Sequence, residues 1–159
     1  MLMSEKRFVV AKAGFLFLFL GLTLVQILSF PGQFQHMRRT QGMSLLIEVA
    51  LTIVVGLWIL CGQVALFFLW QIVESMRRNR FYSTENLNWI ARLLISFKVA
   101  SVIPVVLFLI LIPQADDPGI FVMLTIVALI IFSLTVTTSL LKEQITNSLP
   151  RHPYTHVLL

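Results

Sequence analysis

Four long apolar stretches, separated by short polar segments, dominate the pattern of hydrophobic and polar positions along the chain. They run roughly over Phe8–Phe30, Leu45–Ile72, Trp89–Ile112 and Ile120–Leu141. A hydrocarbon core of about 30 Å needs about 20 apolar residues in an α-helix that rises about 1.5 Å per residue. The pattern therefore predicts an all-α integral membrane protein, a four-helix transmembrane bundle over residues 1–148 followed by a short tail over residues 149–159.

The composition agrees with this fold class. Of the 159 residues, 58% are hydrophobic and only 12% are charged, which is far more apolar than a soluble domain. The segments outside the four stretches are too short for a soluble domain. The first stretch is longer than the hydrophobic region of a secretory signal and precedes no small-residue cleavage site, so we expect an uncleaved first helix.

The basic residues predict the topology. They concentrate before the first stretch, between the second and third, and after the fourth. With the N-terminus and C-terminus in the cytoplasm, ten of the twelve Lys and Arg residues lie inside, and only Arg38 and Arg39 lie outside. Four aromatic residues at the inner boundary are typical of a membrane interface: Trp70, Phe81, Tyr82 and Trp89.

Local signals predict several helix ends. Ser83 is a good N-cap for the third helix, and Glu85 lies in its first turn. The second helix is longer than a membrane span needs, so it can tilt or project beyond the lipid, and the i,i+4 spacing of Glu74 and Arg78 suits a helix end in water. The segment Pro31–Ser44 is expected to be the loop between the first two helices, and Pro104 is expected to kink the third.

Polar residues inside the spans are candidates for function. Glu48, Thr52, Gly56 and Gln63 share one face of the second helix, and Lys98 lies at a depth compatible with Gln63. Ionisable groups inside a membrane span are costly and mark a functional site by default.

Packing is the alternative interpretation of these polar residues. Glu48 can stay hydrated near the surface or pair with Arg38 or Arg39, and the rest of its face can be small and polar helix packing. The long side chains of Lys12 and Lys98 can reach back to the interface. Both interpretations remain open from the sequence.

Small residues predict close helix approach in two places. Gly14 and Gly21 face the same way on the first helix, and Thr52 and Gly56 form a small pair on the second. Such faces serve contacts within one chain or between copies, so a homo-oligomer is compatible with the sequence.

Several kinds of chemistry are not expected. The sequence has no hydrolase, zinc-protease or phosphate-loop motif, so we expect no enzyme activity and no cofactor. His152 and His156 are separated by Pro153 and have no further ligand nearby, so no metal site is expected. The single Cys61 excludes an intramolecular disulfide. The net charge of +5 reflects topology, and no direct nucleic-acid contact is expected.

The stretch Arg77–Leu94, RRNRFYSTENLNWIARLL, carries a family resemblance. It resembles the bacterial four-span membrane proteins of domain-of-unknown-function family 2975, which share a central cytoplasmic loop similar to F-x-S-x-E-N. Here the matching residues are Phe81, Ser83, Glu85 and Asn86, and the L-K-E segment near Leu141–Glu143 also agrees. The resemblance covers about residues 10–147 and implies a multi-pass protein of the bacterial plasma (inner) membrane.

The resemblance also suggests a partner. Genes of this family often neighbour a small helix-turn-helix regulator, which implies a membrane protein that holds or signals to a DNA-binding protein. The loop is short, capped, basic and aromatic, which fits docking of a protein. The candidate docking residues are Arg77, Arg78, Arg80, Phe81, Ser83, Glu85 and Asn86.

Three functions are compatible with the sequence. The leading hypothesis is a non-enzymatic regulatory or accessory membrane protein that binds a protein partner through the loop between the second and third helices. One alternative is a small-molecule, ion or peptide binder of the transport or immunity type that uses Glu48, Gln63 and Lys98. Another is a structural subunit of a larger membrane complex. Under each of the three hypotheses the chain also contacts membrane lipid.

Overall fold

The described part of the chain is helical throughout. A computed structural model describes residues 5–78, 80–112 and 118–149, and these residues form helices and short connections without a strand. In chain order the elements are α1 (Glu5–Leu24), a π-helical segment (Val25–Ser29), α2 (Phe30–Gln41), α3 (Leu45–Arg77), α4 (Thr84–Leu111) and α5 (Pro118–Ser148). Four helices are long and apolar enough to cross a membrane, which confirms the predicted class: Phe8–Thr40, Leu45–Arg77, Thr84–Leu111 and Gly119–Ser148.

The first helix runs much further than predicted. The segment Pro31–Ser44 was expected to be a loop, but helix continues to Gln41 and only residues 42–44 connect it to α3. Pro31 lies at the start of α2, directly after the π-helical segment. The wider π turn accommodates the missing N–H and the ring of proline, so the helix is not broken there.

Gly42 ends this long helix. Its backbone has φ of 67°, in the left-handed region that glycine adopts without a steric penalty. The chain reverses within three residues, and α3 begins with Ser44 as N-cap, whose hydroxyl accepts a hydrogen bond from Ile47 N at 3.3 Å. A tight αL turn thus replaces the predicted loop.

The predicted start of the third span is confirmed. Ser83 is the N-cap of α4, and its hydroxyl accepts a hydrogen bond from the backbone N–H of Asn86 at 3.2 Å. The α4 helix continues through Pro104, which is buried. The helix α3 extends to Arg77, past the apolar stretch that ends at Ile72, as its charged end predicted.

The bundle is arranged around a central pair of helices. The pair α3 and α4 makes the most extensive contact, α1 packs on α3, and α5 packs on α4. Within the described residues, the backbones of α1 and α5 do not come into contact. The four long helices therefore follow one another side by side in the order α1, α3, α4, α5.

Two hydrophobic cores lie at opposite ends of the bundle. We call the end where α1 and α4 begin and α3 and α5 finish the charged end, and the opposite one the far end. The core at the charged end contains Ala65, Ile72, Ile90, Leu93 and Ile145. The core at the far end contains Phe34, Met43, Leu51, Val55, Leu107, Leu111 and Leu124.

The outer surfaces of the helices are strongly apolar. Phe17 on α1 is 75% exposed and Leu46 on α3 is 78% exposed. Large apolar faces of this kind are unfavourable in water and suit contact with lipid chains. The surface therefore agrees with a multi-pass membrane protein.

Candidate functional site

A single carboxylate organises the basic residues at the charged end. Glu74 Oε1 accepts hydrogen bonds from Arg77 Nη2 at 2.7 Å and from Arg78 Nε at 3.1 Å. Lys12 Nζ lies 3.5 Å from Glu74 Oε2. We call these four residues the Glu74 cluster. The i,i+4 pair of Glu74 and Arg78 was visible in the sequence, but the arrival of Lys12 from α1 was not.

Aromatic rings contact two of the three cations of this cluster, Lys12 and Arg77. The ammonium of Lys12 lies 4.5 Å from the ring centroid of Phe8 and 4.6 Å from that of Trp70. The guanidinium of Arg77 lies 4.9 Å from the Phe8 centroid. Such cation–π contacts favour a cation that is partly withdrawn from water. Lys12 therefore contacts α3 instead of only extending to the interface. The contact of Arg77 with Phe8 also holds α1 against α3.

The connection between α3 and α4 is fixed from the inside. Phe81 packs against the core at the charged end. Asn86 is fully buried, and its Nδ2 donates a hydrogen bond to the carbonyl of Phe81 at 2.8 Å. Arg80 N donates to the carbonyl of Ser75 at 3.0 Å. Together with the Ser83 cap, these contacts fix the backbone on both sides of the turn.

The seven predicted docking residues therefore separate into two groups. Phe81, Ser83 and Asn86 maintain the connection, and Arg77 belongs to the Glu74 cluster. The other three, Arg78, Arg80 and Glu85, are exposed, although Arg78 also contacts Glu74. With the exposed Tyr82 they form what we call the outer rim: Arg78, Arg80, Tyr82 and Glu85.

Tyr82 is the member of the outer rim that the sequence did not single out for docking. Its side chain is 64% exposed, and its ring packs edge-on against Phe81 with the centroids 5.1 Å apart. The sequence signal was its place among interfacial aromatic residues, which did not distinguish Tyr82 from its inward-facing neighbour. The structure separates the two by burial.

The polar residues within the spans form contacts between α1–α2 and α3. Arg38 Nε lies against the carboxylate of Glu48, as one interpretation of the sequence predicted. Gln63 Nε2 donates a hydrogen bond to Thr23 Oγ1 at 2.9 Å, and Gln26 Nε2 donates to the carbonyl of Gly56 at 3.2 Å. With the pair of Lys12 and Glu74, these contacts form what we call the polar ladder.

The ladder follows one antiparallel register. Lys12 and Thr23 are as far apart along the chain as their respective partners, Glu74 and Gln63. The next step, from Thr23 to Arg38, likewise equals the step from Gln63 back to Glu48. The Gln26 contact departs from this register by about one turn because a long side chain reaches a backbone carbonyl.

The ladder partners on the first helix were missed from the sequence. Thr23 and Gln26 are polar residues three positions apart within an apolar stretch, so they lie on one side of a helix. Read beside the polar face of α3, that spacing would have indicated the contact. The hydrogen bond to Thr23 also explains how the Gln63 side chain can be buried, since a buried amide needs a hydrogen-bond partner.

Lys98 does not join the other intramembrane polar residues. Its side chain is exposed on the outer face of α4, whereas Gln63 faces α1. Within the described residues, no ion pair or hydrogen bond involves the Lys98 ammonium. Glu48, Gln63 and Lys98 therefore do not assemble into one site.

The two predicted small-residue faces behave differently. A Cβ at Gly56 would lie 3.8 Å from Gln26 Nε2, so Gly56 lies at the predicted helix contact. A Cβ at Gly14 or Gly21 would meet nothing within 4 Å. The prediction of close approach within the chain is therefore wrong for Gly14 and Gly21, because α1 presents other residues to α3.

Comparison with known proteins gives one match. A family model described as "Protein of unknown function (DUF2975)" matches residues 32–148. The match includes α2, α3, α4 and α5 and begins after α1, whereas the sequence resemblance was expected from about residue 10. No curated protein and no solved structure matches the chain.

Proposed function

The chain belongs to the DUF2975 family, whose function is unknown, and we propose that it is a non-enzymatic accessory or regulatory protein that binds a protein partner at its charged end. The proposal includes a location in the bacterial inner membrane, with the charged end in the cytoplasm. The distribution of Lys and Arg supports that orientation, because ten of the twelve then lie on or toward the cytoplasmic side.

One observation carries this proposal. The connection after α3 is held from the inside by buried Asn86 and by the Ser83 cap, while its outside presents Arg80 and Tyr82 to solvent. An exposed aromatic beside an arginine on a rigid backbone is typical of residues that dominate protein interfaces. Little ordering entropy is lost on binding when the backbone is already fixed.

The charge of the outer rim suggests the chemistry of the partner. Arg78 keeps one contact with Glu74, but its side chain is 63% exposed, and Arg80 is exposed as well. A complementary surface is acidic and offers an apolar pocket for the Tyr82 ring. A small helix-turn-helix regulator, held at the membrane through an acidic patch away from its DNA-binding helix, is the partner we propose.

Site-specific photo-crosslinking tests the proposal. A photoreactive phenylalanine analogue at Tyr82 is expected to form a discrete protein adduct in intact cells. The same analogue at Val105, which is 59% exposed on the apolar surface of α4, is the lipid-facing control. Arg80→Gln should weaken the adduct. In isolated membranes with the cytoplasmic face accessible, added salt should weaken it further, because exposed charges are screened within about 10 Å at 0.1 M.

A matched charge change at the other end of the molecule completes the test. Arg39→Gln removes one exposed positive charge at the far end and should leave the Tyr82 adduct unchanged. An adduct that survives Arg80→Gln at the wild-type level, or that never forms at position 82, would refute partner binding at the outer rim. The arginines would then serve only as topology signals.

A further inference from the structure

A groove between α3 and α4 opens on the apolar surface of the bundle. It encloses about 320 Å³ and is walled by Leu60, Val64 and Phe68 from α3 and by Ile95 and Val99 from α4. The walls lie open to the outside, since Ile95 is 61% exposed and Val99 is 51% exposed. The groove is therefore a slot on the outer surface of two membrane-spanning helices.

The Ser96 hydroxyl in the wall of this groove already has a hydrogen-bond partner. Ser96 Oγ donates a hydrogen bond to the carbonyl of Cys61 at 3.1 Å, which links the two helices at the base of the slot. The groove thus offers a ligand an almost wholly apolar surface, which suits a hydrocarbon chain and not a polar solute.

Arg92 lies at one end of the groove and differs from the other arginines near it. Within the described residues, no carboxylate lies within ion-pair distance of its guanidinium, unlike Arg77 and Arg78 in the Glu74 cluster. The nearest acidic residue before it on α4 is Glu85, seven positions earlier and about 10 Å along the axis. The donors of Arg92 are therefore available to an external anion.

Trp89 sets the position of the Arg92 side chain. The guanidinium carbon lies 4.9 Å from the Trp89 ring centroid, and Trp89 packs against Phe68 with the centroids 6.1 Å apart. Helical side chains lean toward the helix start, and tryptophan concentrates where membrane meets water. The charge therefore lies at the level of lipid headgroups, directly above an acyl-sized groove.

We propose that this groove binds one acyl chain of an anionic phospholipid, whose phosphate is held by Arg92. Arginine suits phosphate because its planar guanidinium donates two parallel hydrogen bonds. A zwitterionic lipid carries its own cation beside the phosphate, which repels the guanidinium. The site therefore selects anionic over zwitterionic headgroups with the same chains, and it is independent of the proposed protein partner.

Thermal unfolding of the detergent-purified protein tests the headgroup contact. Phosphatidylglycerol is expected to raise the melting temperature more than phosphatidylcholine with the same acyl chains. Arg92→Gln should abolish this difference, and Arg92→Lys should retain part of it. Lys142→Gln removes one positive charge from α5 at the same end, away from the groove, and should retain all of it. Equal responses to both lipids in the wild type would overturn the proposal, as would loss of selectivity in Lys142→Gln.

A second pair of variants tests the acyl chain. Val99→Phe fills the groove and should remove the stabilisation by phosphatidylglycerol, whereas Val102→Phe, at a 58% exposed position on α4 outside the groove, should leave it intact. Glycerophosphoglycerol, the headgroup without chains, should produce no shift. A full shift with that headgroup alone, or a wild-type response in Val99→Phe, would overturn lipid binding in the groove. If Arg92→Gln does not fold, Arg92→Lys and the two valine variants decide the question.

Discussion

Glu74 is the residue on which the electrostatics of the charged end depend. Its side chain is only 14% exposed, and its carboxylate contacts Lys12, Arg77 and Arg78, whose own side chains are 34%, 51% and 63% exposed. Each of these pairs is weak alone because the cation keeps much of its hydration. Without the carboxylate, however, the three cations lose the one ion-pair partner that they share, so the cluster depends on one residue.

We expect Glu74→Gln to lower the melting temperature in detergent by about 2–5 °C, because it loses three ion pairs and leaves the cations to repel one another. Hydrogen exchange should rise at the start of α1, where Lys12 is released. Glu143→Gln, at an exposed position on α5, is the matched control and should shift neither measurement. Equal effects of the two substitutions would contradict a special role for Glu74.

A second residue-scale prediction concerns the contact between Thr23 and Gln63. Hydrogen bonds between membrane helices contribute about 0.6 kcal/mol on average, with about 1.7 kcal/mol as the upper range. Thr23→Val and Gln63→Leu, measured singly and together by unfolding in detergent, should give a coupling free energy of that size. Replacing Thr23→Val in the cycle by Thr135→Val on α5 should give additive effects. Additivity of the first pair would show that this contact does not stabilise the helix pair.

At the residue scale, the sequence indicated which side chains make polar contacts better than it indicated which residues they contact. Pairing of Glu48 with Arg38 or Arg39 was one of the interpretations that the sequence left open, and the structure shows the Arg38 pair. Ser83 was expected to cap α4, which is confirmed. Lys12 was expected to extend to the interface, because nothing in the sequence relates it to a carboxylate on another helix. Its position beside Glu74 follows from the antiparallel register of two helices, which only the folded chain defines.

Among the elements, the start of α4 contains the residues that hold the outer rim in position. Ser83 and Asn86 hold the connection that carries the outer rim. Because the cap hydroxyl satisfies a backbone N–H that otherwise lacks a partner, the order of this connection depends on it. The position of the exposed Tyr82 thus depends on two residues that are themselves less exposed.

Ser83→Ala should destabilise the first turn of α4 by about 0.5–2 kcal/mol. The measurement is hydrogen exchange, which should rise over residues 80–87 and remain unchanged in α3. Ser44→Ala provides the matched control, since Ser44 caps α3 in the same way at the far end and should loosen only that helix start. If exchange near residue 83 does not change, the cap does not order the connection.

The first helix shows why a helix end can be misread. A proline after an apolar stretch usually marks the end of a helix, so Pro31 predicted a loop. The π-helical segment before it removes that conflict, and the helix continues beyond the proline to Gln41. A short π-helical segment leaves no distinctive composition in the sequence. The observed end lies at Gly42, whose backbone adopts the left-handed conformation that favours glycine.

For the whole molecule, the number of spans was predictable and their arrangement was not. Apolar length identifies a membrane helix whatever it contacts. It does not identify its neighbours, because lipid is as apolar as a packed leucine side chain. Leu51 is fully buried and Leu46 is 78% exposed, although both are leucines of one helix. The side-by-side order of α1, α3, α4 and α5 therefore came only from the structure.

The topology is the prediction that belongs to the molecule as a whole. Single cysteines at Gln33, Arg80, Ala115 and Thr155, placed in a Cys61→Ser background, should be labelled from outside, inside, outside and inside. Ala115 and Thr155 lie outside the described residues, and the expectation for them comes from the distribution of basic residues. Labelling of position 80 from outside intact cells would contradict this topology and would show that the outer rim lies outside the cytoplasm.

The polar ladder has a mechanical consequence for the first helix. A piston-like shift of α1 along α3 by one turn, about 5.4 Å, would separate all four ladder contacts together. The contacts are distributed from Lys12 to Arg38, so small displacements at one end are resisted at the other. Sliding of the first helix is therefore opposed at every level from Lys12 to Arg38, and complete separation of this helix from α3 requires all four contacts to open.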